Sequence, residues 1–352
     1  MRDVMETIDQ WQVEGQPVAL ATVVQTWGSS PRQAGAKMAL TPAGHITGSV
    51  SGGCVEGAVY DEGVAALKTG APRLLHFGVA DETAWEVGLA CGGSIDVFVQ
   101  PLARDYYRAT RAAIDENAPF AVVTIVKGSA EQLGRAVLAG EVSAGAQPGA
   151  AGLRWGSLGA PALDEAAAKL AHDALARGQS RRAELAEGVE AFVEVVLPPP
   201  TLIAVGGVHI TIALVALAKT LGYYTIVIDP RKAFGSEQRF PHVDRLIQAW
   251  PDEALADIPL TRGTAVAMLT HDPKLDDPAL KLALPSPAFY VGALGSRNTQ
   301  SKRRQRLMED GLRTEDLDRL HGPIGLELNA STPEEIALSI IAQIVAERNK
   351  AA

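Results

Sequence analysis

Only two cysteines occur among 352 residues, and no CxxC, HxH or HxxxH pair is present despite seven histidines. A tight zinc or di-iron site built from neighbouring ligands is therefore not expected. So few thiols also exclude a disulfide scaffold and fit a reducing cytoplasm. No apolar run is long enough to span a bilayer, and residues 1–12 carry acidic side chains where a secretory leader would be apolar. A cytoplasmic chain with no membrane association is the expectation. An excess of basic residues is missing too: the formal net charge is −9, which disfavours nucleic acid as a partner. No G-x-S-x-G elbow supports a serine hydrolase. No internal repeat of fixed period is evident.

A chain of this length is expected to form about two domains. The clearest boundary is Pro198-Pro199-Pro200, since three prolines resist helix and cannot donate to a sheet ladder. The division predicted is residues 1–197 and 198–352. In the second part, short β-branched strands over 201–205, 224–228, 245–248, 264–269 and 288–291 alternate with helical stretches such as 209–221. That alternation predicts a doubly wound parallel sheet, Rossmann-like, with helices on both faces. A final helix is marked by Thr332-Pro333-Glu334-Glu335, a hydroxyl cap with proline next and glutamate three residues on. The first part reads as α+β. Strands are expected over 19–26, 37–40, 45–50, 73–77, 94–99 and 122–127, with helices over 55–67 and 162–176 and a loop or weak hairpin over 143–161.

Both cysteines sit against paired glycines, in Ser51-Gly52-Gly53-Cys54-Val55-Glu56 and in Cys91-Gly92-Gly93-Ser94. Glycine lets backbone approach a ligand closely, and a thiol in such a loop can meet a soft metal, a sulfur donor or an electrophile. The bland alternative is a buried small hydrophobe. The loop Thr26-Trp27-Gly28-Ser29-Ser30-Pro31-Arg32 follows a strand; it either lines a pocket with Cys54, Glu56 and Cys91 or is a structural turn with Trp27 in the core.

In the second part, Gly206-Gly207-Val208-His209 links strand to helix. A dinucleotide fingerprint would place glycines where Val208 and Thr211 stand, yet Asp229 ends the next strand, where a ribose-binding acid would sit. His209 either faces a ligand or closes the turn. Gly292-Ala293-Leu294-Gly295-Ser296-Arg297 is a second strand–turn–helix, with amides suited to an anion. The run Lys302-Arg303-Arg304-Gln305-Arg306 that follows reads as a solvated helix face, or else as contact for an anionic ligand or acidic partner. Thr270-His271-Asp272-Pro273 also follows a strand, so Gly206, Asp229, His271 and the Gly295 turn all fall at carboxyl ends of strands, where ligands gather in such sheets.

Taken together, these segments resemble the XdhC/CoxI family of accessory proteins for xanthine dehydrogenase, carbon monoxide dehydrogenase and related molybdenum hydroxylases. The motifs that carry the resemblance are Thr26–Arg32, Gly48-Ser49-Val50-Ser51-Gly52-Gly53-Cys54-Val55-Glu56, Cys91-Gly92-Gly93, Ile228-Asp229-Pro230-Arg231, Thr270-His271-Asp272-Pro273, Phe289 through Arg297, and His321-Gly322-Pro323-Ile324-Gly325-Leu326. Val208 departs from the family's usual second glycine. The resemblance implies a chaperone without turnover of its own. It would bind molybdenum cofactor, as molybdopterin in its simple or nucleotide-bearing form, support its sulfuration with a cysteine desulfurase, and insert it into an apo molybdenum hydroxylase. The paired glycine–cysteine loops place the metal near Cys54, with Cys91 as the second candidate ligand. Ser29, Arg32, Gly52, Gly53 and Glu56 are expected around it. Gly206, His209, Asp229, His271, Gly295, Ser296 and Arg297 are expected toward the phosphate. Handing over a fragile cofactor would favour a homodimer. Two alternatives stand beside this: an NAD(P)-dependent oxidoreductase on a divergent Rossmann domain, and a scaffold docking a sulfur-transfer enzyme onto a hydroxylase through the 302–306 face.

Overall fold

The computed structural model describes residues 1–30, 32–78, 92–140 and 153–350. The chain divides into two compact units, Met1–Pro198 and Pro199–Ala352.

Unit 1 runs α1 (Arg2–Val13), β1 (Ala19–Trp27), β2 (Lys37–Leu40), β3 (Ile46–Gly48), α2 (Glu56–Thr69), β4 (Arg73–Phe77), β5 (Ser94–Pro101), α3 (Arg104–Asp115), β6 (Phe120–Lys127), β7 (Ala136–Gly140), β8 (Trp155–Gly156), α4 (Pro161–Arg177), β9 (Arg181–Ala186) and β10 (Val189–Val196). Among the described residues these form two five-stranded antiparallel sheets, ordered β3-β2-β1-β5-β4 and β8-β7-β6-β10-β9. Strand alternation decides the layers. In β5, Ile95, Val97 and Val99 join the cluster beneath α2, while Phe98 joins Val24, Val126 and Phe192 in a separate cluster. In β10, Ala191 and Val193 join the cluster beneath α4. Each sheet therefore carries its own helix on one face and turns the other toward its counterpart. Helices α1 and α3 supply Val4, Ile8, Tyr106 and Ile114 to a further cluster shared with both sheets.

The two sheets are copies of one β-β-β-α-β-β pattern with the same strand order. The lack of a sequence period conceals this duplication, which survives in backbone detail. Both first strands carry a β-bulge, between Val23 and Gln25 in one and opposite Glu190 and Ala191 in the other. Gly48 (φ 76°) and Gly156 (φ 84°) end the third strands. A Cβ on either would fall 2.3 Å from a carbonyl oxygen, that of Lys37 or Ala136, the first residues of β2 and β7. Loop lengths and side chains have diverged around these fixed points.

Unit 2 runs β11 (Thr201–Val205), α5 (His209–Thr220), β12 (Tyr224–Ile228), β13 (Arg245–Ile247), α6 (Pro251–Ala256), β14 (Thr264–Met268), α7 (Pro273–Ala283), β15 (Tyr290–Ala293), α8 (Arg297–Glu309), α9 (Thr314–Leu317), β16 (Leu320–His321) and α10 (Pro333–Lys350). Its sheet is parallel throughout, ordered β13-β12-β11-β14-β15-β16. That is the Rossmann order, with its switch point between β11 and β14. One apolar cluster takes in α5 and α10, and another takes in α6, α7 and α8. The cap on α10 is reciprocal: Glu335 N–H donates to Thr332 Oγ1 at 3.2 Å, and Thr332 N–H to Glu335 Oε2 at 3.1 Å. No helix among the described residues is long and apolar enough to cross a membrane.

Between the copies of unit 1, Lys37 Nζ donates to Glu194 at 2.8 Å and to Thr22 Oγ1 at 3.1 Å, with the lysine 2 % exposed. Lys37→Met strands the buried Glu194 charge and is expected to cost roughly 3–5 kcal/mol. The double variant Lys37→Met/Glu194→Leu is expected to recover most of that loss. Urea denaturation of both variants checks the pair.

Candidate functional site in the cysteine loop and the strand-end turns

The loop from Ser49 to Val55 is organised by one carboxylate. Glu56, the first residue of α2, accepts from the Ser49 and Ser51 hydroxyls at 2.6 and 2.5 Å. It also accepts from the backbone N–H groups of Val50, Ser51, Gly52 and Gly53 at 3.2, 2.9, 3.1 and 2.9 Å. Ser51 Oγ in turn accepts from Cys54 and Val55 N–H at 2.9 and 3.0 Å. Gly52 and Gly53 hold φ of 80° and 117°, a region that L side chains rarely enter; this curls successive amides around the carboxylate. Burial pushes the Glu56 carboxyl up, but the serine hydroxyls and the amides outweigh it and hold it down at about 2, from an ordinary 4.5. The amides are thus spent on an internal anion. What the loop offers outward is Cys54, whose thiol is free and exposed.

The second copy shows what is scaffold and what is specialised. Asp164 accepts from Ser157 Oγ at 2.8 Å and from Leu158 N–H, seven residues after its serine as Glu56 is after Ser49. The position matching Cys54 is Ala162, inside α4. Serine and carboxylate recur in both halves; the Gly-Gly-Cys turn is found in one.

Of the neighbouring segments, Arg32 reaches this loop. Arg32 Nε donates to Ser49 O at 3.2 Å, and its guanidinium lies 3.6 Å from Asp3. Ser29 is exposed, and its carbonyl would meet a Cβ on Gly93 at 2.3 Å, so the Trp27–Ser29 and Gly92–Gly93 backbones touch. Trp27 is 47 % exposed and is not a core residue. Cys91 lies outside the described residues. Among the described residues no group of three or more His, Cys, Asp or Glu could hold a metal.

No motif marks Asp96, though a lone acid within Ile95-Asp96-Val97-Phe98 is itself a signal. Its carboxylate is 9 % exposed, 2.7 Å from His76 Nδ1 and 2.6 Å from Arg182 Nη1. Arg182 carries no motif either, and its partner only becomes visible once the two sheets face each other.

In unit 2, Gly206 and Thr270 meet where β11 and β14 end: a Cβ on Gly206 would lie 2.7 Å from Thr270 Cγ2. Val208 stands at the N-cap of α5 with no side-chain cap, and His209 is exposed at the first helical residue. Thr211, in the third glycine's place, is buried and donates to Gly206 O. Asp229 is fully buried. It accepts from Gly207 N–H at 2.8 Å and from the Arg231 guanidinium at 2.9 and 2.7 Å. Burial raises its carboxyl, yet Arg231 and the amides lower it below the usual range. His271 is exposed, with φ of 93°. Ser296 caps α8 by accepting from Thr299 N–H at 3.3 Å, Gly295 precedes it with φ of 130°, and Arg297 is exposed at the first helical residue.

The basic run on α8 is the solvated face expected at Lys302 and Gln305, which are exposed, but not at Arg303. Arg303 is 2 % exposed and bridges Asp276 at 2.9 Å, Leu294 O at 3.0 Å and Gln300 at 2.6 Å. Arg304 and Arg306 pair with Asp318 and Asp277 at 2.7 and 2.6 Å. Arginine's planar fork suits the buried Arg303–Asp276 pair, and the three pairs tie α8 to α7 and to the end of α9.

Glu56→Gln replaces an acceptor-only group by one that points N–H at N–H. The expected loss is about 2 kcal/mol. Because the folded carboxyl sits at about 2 against an ordinary 4.5, its contribution is complete above the ordinary value and fades as pH falls toward the folded one. Urea midpoints across that acid range should fall more steeply for the wild type than for the variant.

The XdhC Rossmann domain model matches residues 202–344, and the XdhC and CoxI family model matches residues 11–78. The chain is 27% identical to a Bacillus subtilis protein described as a probable xanthine dehydrogenase subunit, over 98% of this chain and 97% of that protein. It is 27% identical to the molybdenum cofactor insertion chaperone PaoD of Escherichia coli, over 99% of this chain and 90% of that protein. A crystal structure described as a xanthine dehydrogenase from Bacillus halodurans superposes with a TM-score of 0.77 at 23% identity, covering 98% of this chain and 96% of that one. With both family models matched in chain order, and relatives similar from end to end, the chain belongs to the XdhC/CoxI family.

Proposed function

We propose that this chain binds molybdenum cofactor as cargo, holds it during maturation and inserts it into an apo molybdenum hydroxylase. One observation carries the reading. In a chain similar over nearly its whole length to a molybdenum cofactor insertion chaperone, the only free thiol among the described residues is held outward by a carboxylate-locked loop. Thiolate is a soft donor suited to the metal end of such a cargo. The chain's residues hold, orient and shield; no turnover is assigned to them. Sulfuration belongs to the same proposal: a cysteine desulfurase supplies the sulfur while the cargo rests at Cys54, with Cys91 as the second thiol of the site. Considered by itself, unit 2 exposes His209, His271 and Arg297 at its strand ends, and these are proposed to take an anionic group, phosphate or nucleotide.

The oxidoreductase alternative gains no support from the geometry around Asp229. A ribose-binding acid needs spare lone pairs, and here each oxygen already accepts two donors: Oδ1 from the Arg231 N–H and Nε, Oδ2 from the Gly207 N–H and Arg231 Nη2.

Cys54→Ser keeps the loop, since the backbone bonds to Glu56 and Ser51 do not involve the thiol. Purified from a cofactor-producing host, the variant is expected to carry about tenfold less molybdenum or lower still, by the scale on which metal sites lose affinity. It should activate an apo hydroxylase correspondingly less. Metal analysis and a reconstitution assay check this; wild-type values in both would remove Cys54 from the site.

A further inference from the structure

A cavity of about 550 Å³ opens in unit 1, lined among others by Gln25, Trp27, Asp96, Lys127, Arg182 and Glu190. It is built by strand register. Asp96 on β5 lies opposite Gln25 on β1 and His76 on β4. Glu190 on β10 lies opposite Lys127 on β6 and Glu184 on β9. These two rows occupy matching places in the two copies of the repeat, beside the paired bulges. Arg182 joins them, 2.6 Å from Asp96 and 2.7 Å from Glu190. Lys127 is 2.7 Å from Glu190, and His76 is 2.7 Å from Asp96.

Charge decides what such a cavity takes. Three carboxylates line it against two cations, and both cations are already paired. A phosphate or other anion would meet net repulsion and no free positive group. A neutral molecule that donates hydrogen bonds meets carboxylate oxygens, each with lone pairs to spare. Trp27 adds a half-exposed indole, edge-on to the His76 ring at 5.9 Å, as a stacking surface. The volume lies in the range of small-molecule sites.

We propose that this cavity binds a flat, uncharged bicyclic ring carrying a 2-aminopyrimidinone edge, specifically a pterin. The ring lies against Trp27, with its amino and ring N–H donors toward Asp96 and Glu190 and the Gln25 amide serving the remaining edge. The choice of pterin over guanine, which shares that edge, rests on the function proposed above; the cavity and its preference for a neutral donor-rich ring do not.

The test is a fluorescence titration of the full chain with 6-hydroxymethylpterin, free of metal. Saturable quenching is expected, undisturbed by millimolar inorganic phosphate. Trp27→Ala should weaken binding about tenfold or more, the scale of base–aromatic stacking, and Trp27→Phe should restore most of it. Ala183→Phe, which fills the cavity from β9, should abolish binding independently of Trp27. No saturable quenching by the wild type, unchanged binding by both Trp27→Ala and Ala183→Phe, or tighter binding of guanosine than of the pterin would overturn the assignment. Molybdenum carried from the producing host without pterin-ring binding here removes the cavity and leaves the proposed function. Ring binding without any molybdenum cargo does the reverse.

Discussion

The Glu56 carboxylate is the constraint on which the cysteine loop depends. Six donors converge on it from five consecutive residues, Ser49 to Gly53, and with them satisfied the chain can take two left-handed glycines without leaving amides orphaned. The anion inside the loop is the protein's own. That separates this turn from the anion sites glycine-rich loops commonly form before helices, and leaves the Cys54 thiol as the group it exposes.

Duplication explains how such a turn could arise without endangering the fold. The Ser157–Asp164 pair shows the same serine-to-carboxylate brace at the head of α4, serving only to start a helix. Once the brace exists, the residues between serine and carboxylate are free to vary. One copy has Ala160-Pro161-Ala162 there, and the other has Gly52-Gly53-Cys54. The same logic applies between the sheets. Matching bulges and cross-strand rows give Gln25-Asp96-His76 in one copy and Lys127-Glu190-Glu184 in the other. Divergence between them sets Asp96 against Arg182 across the two sheets, while Lys127 pairs with Glu190 inside its own sheet.

Much of unit 2 was legible in the sequence because its signals are local. β-branched strands alternating with alanine- and leucine-rich helices fix a parallel sheet, and Thr332 with Glu335 announces the cap that forms. Unit 1 was legible as α+β but not in its strand order, because antiparallel pairing over such distances leaves no short-range mark. The duplication leaves no period in the sequence because it is kept in φ angles and in a carboxylate that is Glu in one copy and Asp in the other. Arg303 is the buried exception in a basic run that is otherwise exposed or partly exposed. Its partner Asp276 lies in a different helix, and only packing of α7 against α8 pairs them. The positions of Cys54 and Glu56 were identified from their glycine setting; that Glu56 serves its own loop follows only from the backbone geometry.

The proposed function requires Cys54 to present its sulfur to the metal of a molybdenum cofactor cargo. X-ray absorption at the molybdenum edge, on protein purified with its cargo, reads that bond. The wild type is expected to show one more sulfur neighbour around molybdenum than Cys54→Ser loaded in the same way. Identical sulfur shells in the two proteins would contradict it.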